Sequence, residues 1–95
     1  MFPGINTKLS ETVVASAATI NSICDVLLIT GSTAIATIVP KAGGFGSIIF
    51  LIPLDGSVGL LNTGNIAVAQ TMIQNNVAVL VYSATKGKWY PHALA

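Results

Sequence analysis

The sequence predicts an all-β domain, built as a small antiparallel β-sandwich or barrel of the jelly-roll-like kind. Three observations predict this fold class. Valine, isoleucine and threonine are abundant in the apolar segments, and these β-branched residues favour strands over helices. Glutamate, arginine and lysine, which favour helices, are scarce. Turn signals separate apolar runs of about four to eight residues, a spacing typical of sandwiches and barrels.

The turn signals divide the chain into eight predicted strands. Glycine, proline, asparagine and aspartate mark the turns because they adopt backbone conformations that other residues avoid. A short helix capped by Ser10 is the alternative over residues 11–20, and the β-branched residues there count against it. The predicted strands, in chain order, cover residues 12–19, 22–30, 33–39, 47–53, 58–61, 65–72, 76–83 and 88–91.

Two of the turns begin with Thr-Gly. Thr30–Ala36 and Thr63–Ala69 each place this dipeptide before a run of small and β-branched residues. Two copies do not establish a repeat protein. We therefore interpret the two segments as similar hairpins of one sandwich.

The length predicts one β-domain over residues 11–95, preceded by an N-terminal arm over residues 1–10. Ninety-five residues provide one hydrophobic core and no room for a second. Cys24 is the only cysteine, so it cannot form an internal disulfide, and an apolar strand context predicts that it packs as a small hydrophobe.

Charged side chains are rare for a folded domain of this size. The chain has four lysines, no arginine and three acidic residues, whereas about a quarter of surface positions are usually charged. The lysines are too few and too scattered for nucleic-acid binding. No apolar run approaches the roughly 20 residues of a spanning helix, so membrane insertion is not expected. The remaining explanation for the scarcity of charge is that other protein covers much of the surface of this domain.

Two of the predicted strands, 47–52 and 77–82, are apolar on both faces. A strand with one face in water alternates apolar and polar residues, and these two do not. One face fills the domain core, and the other requires a cover, most simply an identical subunit. The opposing faces are formed by Ile48, Phe50 and Ile52 against Ile49 and Leu51, and by Val77, Val79 and Val81 against Ala78, Leu80 and Tyr82.

Side chains that could perform chemistry are few. His92 is the only histidine, and the only carboxylates are Glu11, Asp25 and Asp55. A catalytic base needs an orienting partner and a pocket, and a metal site needs several ligands. The glycine cluster at residues 43–46 lacks the pattern of a phosphate-binding loop. We predict no catalytic, cofactor-binding or metal-binding residue, and we do not expect an enzyme.

An aromatic pair, Trp89 and Tyr90, lies in the last predicted strand. Large aromatic side chains with one polar end suit a boundary. We predict that the pair closes an end of the sandwich or a seam between subunits. Stacking on sugar rings is the alternative function for these rings.

The N-terminal arm is apolar without an obvious place in the core. Phe2, Pro3, Ile5 and Lys8 precede the first predicted strand, and extended termini need to be tied down to be ordered. We predict that these four residues contact a capsid or a neighbouring subunit, and a disordered tail is the alternative.

Several segments together resemble a small β-domain of tailed-bacteriophage virion proteins, a group that includes head-decoration proteins, head-fibre proteins and parts of tail fibres. The resemblance covers about residues 29–91, and its most specific part is the strand-turn-Lys-Trp-Tyr-Pro ending. In that family the turn often reads Asp-Gly-Thr, whereas this chain has Ser83–Gly87. The segments are Thr33–Ile38, Ser47–Pro53, Thr63–Ala69, Leu80–Tyr82 and Lys88–Pro91.

This resemblance implies a trimeric, non-enzymatic β-structure on the outside of a virus particle. The chain is therefore expected to be a bacteriophage capsid decoration or cement protein, made in the host cytoplasm and located on the capsid surface. Its expected partners are further copies of itself and the major capsid protein. A head- or tail-fibre module that binds host-surface glycans is the alternative.

Overall fold

The computed structural model describes residues 10–40 and 47–92. These residues are all-β, and no helix occurs among them, which makes the helix alternative over residues 11–20 wrong. Among them there is likewise no helix with the length and apolarity to cross a membrane. The strands are β1 (Glu11–Ala15), β2 (Thr19–Asn21), β3 (Val26–Thr30), β4 (Thr37–Val39), β5 (Ser47–Pro53), β6 (Val58–Leu60), β7 (Gln70–Met72), β8 (Ala78–Ser83) and β9 (Lys88–Pro91).

The strands form one mixed five-stranded sheet and two short ribbons. The sheet has the order β1-β3-β5-β8-β9. Strands β1, β3 and β5 run parallel, and β8 and β9 continue the sheet antiparallel. One ribbon pairs β2 with β4 in parallel, and the other pairs β6 with β7 antiparallel. Both ribbons contribute side chains to the same core as the sheet.

The N-terminal half alternates between the sheet and the ribbons. Each of β1, β3 and β5 belongs to the sheet, and the strand that follows each of them belongs to a ribbon. A parallel bridge between Ile35 and Leu60 links the two ribbons. Gly31 turns the chain out of β3 with a φ of 76°, which L side chains rarely adopt, and its N–H donates to Asp55 Oδ2 at 2.8 Å.

The parallel pairs make the predicted antiparallel arrangement wrong for this half of the described chain. Parallel neighbours need a crossover connection. Residues 16–25 form one such connection and residues 31–40 belong to another, and each of these two segments contains a ribbon strand. The predicted hairpin at Thr30–Ala36 is therefore a crossover. Strand-like composition does not distinguish these connections from hairpins.

Strand positions were predicted better than strand lengths. The predicted strands 47–53 and 88–91 coincide with β5 and β9. The predicted strand 12–19 is instead divided between β1 and β2, because residues 16–18 leave the sheet and enter the first ribbon. The predicted strands 33–39 and 65–72 shorten to β4 and β7, each preceded by a single bridge residue.

One continuous core lies between the sheet and the ribbons. The face of the sheet toward the ribbons is completely buried at its centre, and each ribbon contributes apolar side chains from its near face. Trp89 Nε1 donates to the backbone oxygen of Ile38 at 2.9 Å, which joins the last strand to the first ribbon. The core residues are Ile20, Leu27, Ile29, Ile35, Ile38, Ile49, Leu51, Val58, Leu60, Ile66, Met72, Leu80 and Trp89.

Truncation of Leu80 tests this core against a matched surface leucine. Leu80 is 0% exposed and Leu61 is 42% exposed. We expect Leu80→Ala to lower the free energy of unfolding by about 2–5 kcal/mol because it leaves a cavity. Leu61→Ala should lower the free energy of unfolding by well under half as much. Denaturant unfolding of both variants at one protein concentration is the measurement, and equal costs would contradict the placement of the core.

Candidate self-association surface

The face of the five-stranded sheet that points away from the ribbons is apolar across all five strands. We call this surface the outer face. Because side chains alternate along each strand, the residues between the buried ones all project to this side. Its apolar members are Val13, Val26, Leu28, Ile48, Phe50, Ile52, Val79, Val81 and Tyr90.

The strand register aligns these side chains in three rows across the sheet. The pairing of β5 with β8 and of β8 with β9 aligns Ile48 with Val81 and Tyr90. Cross-strand neighbours on one face lie about 4.5–5.5 Å apart, so each row is a continuous apolar strip. The other two rows are Val26, Phe50 and Val79, and Val13, Leu28 and Ile52.

The outer face is exposed to solvent at Val13 and along the row of Ile48, Val81 and Tyr90, and its other apolar members are half-buried. Val13 is 60% exposed and Ile48 is 51% exposed, and Val81 and Tyr90 are also exposed. Phe50 at the centre is half-buried by its neighbours. Large contiguous apolar patches on a protein surface mark interaction sites.

The ribbons expose more polar side chains than the sheet does. Ile20, Ile38 and Met72 point into the core, while Thr19 and Thr71 are exposed. Strand β2 alternates polar and apolar residues, as expected for a strand with one face in water. Strand β4 is an exception, because Val39 is exposed beside the buried Ile38.

Charged and titratable side chains border the outer face on opposite sides. Glu11 projects from β1, in the same row as Phe50. Lys88 projects from β9 beside Ser83. His92 follows β9, and its backbone N–H donates to the backbone oxygen of Val79 at 2.8 Å. The β1 side is thus acidic, and the β9 side carries a lysine and a histidine.

The remaining carboxylates stabilise the fold locally. Asp25 Oδ2 accepts hydrogen bonds from the N–H and the hydroxyl of Ser10, both at 3.3 Å, which joins the start of β1 to the start of β3. Asp55 holds the turn after β3 through Gly31. Within residues 10–40 and 47–92, no group of three or more histidine, cysteine or acidic side chains could hold a metal ion.

A shallow cleft of about 100 Å³ lies beside β7 and includes His92 in its wall. Its other walls are formed by uncharged side chains, among them Gln70, Met72 and Asn76. Gln70 Nε2 donates to the backbone oxygen of His92 at 2.8 Å, so it helps to hold His92 beside β7. The cleft brings no carboxylate or cysteine to the histidine ring.

The structure separates the two aromatic residues that the sequence paired. Trp89 is 0% exposed and packs against Tyr82, with 5.0 Å between the ring centroids. Tyr90 points to the outer face and is exposed. Trp89 therefore lies inside the domain, and only Tyr90 is available to a partner. The predicted contact residues Phe2, Pro3, Ile5 and Lys8 lie outside the described residues.

The sequence prediction located only part of the outer face. It identified the two-sided strands that became β5 and β8, but it did not include Val13, Val26 or Leu28. The run Val26–Thr30 contains four consecutive apolar residues, and this was the available signal that β3 is also apolar on both faces.

No family model matches the chain. No curated protein and no solved structure is significantly similar to it. The assignment of function therefore depends on the surface described above and on the residues that the sequence places around it.

Proposed function

We propose that this chain is a structural subunit of a bacteriophage virion, a homotrimeric decoration or cement protein that binds the major capsid protein on the capsid surface. The observation that carries this proposal is the outer face, which leaves nine apolar side chains of one sheet without a covering layer among the described residues. A protein with so few charged side chains exposes much apolar surface, and permanent contact with other protein stabilises it by burying that surface. Decoration of a particle provides such contact.

Mass action supplies the mechanism of stabilisation. A subunit that binds the assembled shell, but not its separated capsomers, stabilises the shell in proportion to its occupancy. This role needs surface complementarity and no reactive side chain. The structural roles of Asp25 and Asp55 and the uncharged walls of the cleft at His92 favour it over enzymatic activity.

Burial of Trp89 favours a cement role over the glycan-binding fibre module. A sugar-stacking platform needs aromatic faces open to solvent, and Trp89 has none. Tyr90 is the exposed ring of the outer face, and Phe50, the other aromatic side chain of that face, is half-buried. Fibre modules that recognise sugars also need polar groups that fix the orientation of the ligand, and the centre of the outer face has no polar side chain.

Binding to shells tests the proposed function. The purified protein should sediment saturably with empty shells of the phage that encodes it, and it should not bind the dissociated capsomers. Decorated shells should withstand higher temperature or denaturant than bare shells. Failure to bind assembled shells at micromolar protein would overturn the proposal.

Removal of the N-terminal arm tests the predicted anchor. We expect a deletion of residues 2–8 to leave the oligomer folded and to weaken binding to empty shells at least tenfold, because it removes apolar side chains that the shell surface would bury. The control is the oligomeric mass and thermal unfolding of the shortened chain. If the shortened chain decorates shells as tightly as the full chain, the anchor lies elsewhere.

A further inference from the structure

We infer that the outer face is the seam between copies of this chain, which form a closed ring in which the β1 side of each copy lies beside the β9 side of the next. This inference rests on the proposed homotrimer and names the surface that builds it. It assigns the outer face to self-association and leaves other surfaces free to bind the shell.

The dimensions of the outer face suit the centre of a contact between small subunits, but not the whole contact. Five strands at about 4.8 Å spacing give a width of about 24 Å, and three rows of side chains give a length of about 17 Å. The projected area is therefore roughly 400 Å², at the level of the largest apolar patches on monomeric proteins. A stable interface covers about 800 Å² on each partner, so the sides of the sheet must contribute as well.

The sizes of the side chains fit three sheets that face a common axis. Three sheets about 24 Å wide in a triangular arrangement leave about 7 Å between the axis and the middle strand of each sheet, compared with about 5 Å in a flat pair of sheets. The space is deepest over the middle strand, which is β5. There the outer side chains are Ile48, Phe50 and Ile52, whereas the flanking strands carry Val26 and Leu28 on β3 and Val79 and Val81 on β8, none of them as large as Phe50.

The distribution of charge favours ring closure over pairing of like sides. In a ring, the contact is heterologous, so that one side of each subunit meets the other side of its neighbour. Glu11 then lies on the side that meets the Lys88 side of the next copy, although the register places the two residues two rows of side chains apart along the strands. Exposed ion pairs add little affinity, but complementary charge fixes the orientation in which copies associate. The centre of the face contains no charge that would oppose its burial.

An isoleucine pair provides a matched test of this seam. Ile48 and Ile73 are both 51% exposed, but only Ile48 lies on the outer face. We expect Ile48→Lys to place three ammonium groups near the axis and to reduce the association constant at least a hundredfold. Light scattering after size-exclusion chromatography should then report a monomer at about 10 µM, whereas wild type and Ile73→Lys remain trimers. Val81→Lys, also on the outer face, gives a second variant should Ile48→Lys fail to fold.

The outcomes of this test separate the seam from the proposed function. A trimeric Ile48→Lys, or a monomeric wild type, would overturn the inference. A monomeric wild type whose Ile48→Lys variant loses shell binding would show that the face binds the shell instead, which overturns the seam and leaves the cement role standing. A wild-type trimer that does not bind assembled shells would refute the cement role and leave the seam standing.

Discussion

Replacement of Trp89 by alanine should lower the free energy of unfolding by about 3–5 kcal/mol, the range measured for large buried aromatic residues. The ring is fully buried and packs against Tyr82. Its indole nitrogen donates to the backbone oxygen of Ile38, so truncation both opens a cavity and removes a hydrogen bond between the sheet and the first ribbon. Far-UV circular dichroism should follow the unfolding, because Trp89 is the only tryptophan and its fluorescence is lost.

Trp89→Phe separates the two contributions. Phenylalanine fills much of the same space but cannot donate, which leaves the Ile38 oxygen with the Asn65 side chain as its donor at 2.7 Å. We expect Trp89→Phe to lower the free energy of unfolding by about 1–3 kcal/mol, which is less than the loss for Trp89→Ala. A Trp89→Ala protein within 1 kcal/mol of wild type would mean that the ring does not belong to the core.

Fold class and individual strands could be predicted from the sequence, but their connections could not. The uninterrupted apolar run of residues 48–52 and the Lys-Trp-Tyr-Pro ending mark β5 and β9 because composition alone favours strands there. Parallel pairing of β1 with β3 depends on residues 16–25 crossing to the ribbon and back. That path depends on side-chain packing between layers, which local sequence does not reveal.

The candidate surface was predictable to the extent that alternation reveals it. A strand that is apolar on both faces is visible in the sequence, and Ile48 opposite Ile49 showed it correctly. Which strands join to form one face depends on sheet order. Val13 became part of the outer face only because β1 pairs with β3 at the edge of the sheet.

The two Thr-Gly dipeptides illustrate how one sequence signal can serve two physical purposes. Gly31 is needed for its positive φ at the end of β3. Gly64 is needed for close approach, because a Cβ there would collide with the backbone oxygen of Ala36 and the hydroxyl of Thr37. The close approach of Gly64 to residues 36 and 37 brings the side chain of the following residue, Asn65, within hydrogen-bond distance of Ile38. The Asn65 Oδ1 accepts the N–H of Ile38 at 2.9 Å, and its Nδ2 donates to the Ile38 oxygen.

Gly64→Ala should therefore destabilise the domain by about 3 kcal/mol or more, since the collision involves backbone that cannot rotate away. The displaced segment also carries Asn65, whose backbone oxygen accepts the N–H of Trp89 at 2.8 Å, so the first ribbon and the last strand would loosen together. Gly56→Ala is the matched control, because a Cβ at Gly56 meets no atom within 4 Å. The free energy of unfolding of Gly56→Ala should stay within about 1 kcal/mol of that of the wild type. Neither glycine belongs to the outer face, so denaturant unfolding at equal protein concentration compares them directly, and equal stabilities would show that Gly64 does not pack against residues 36 and 37.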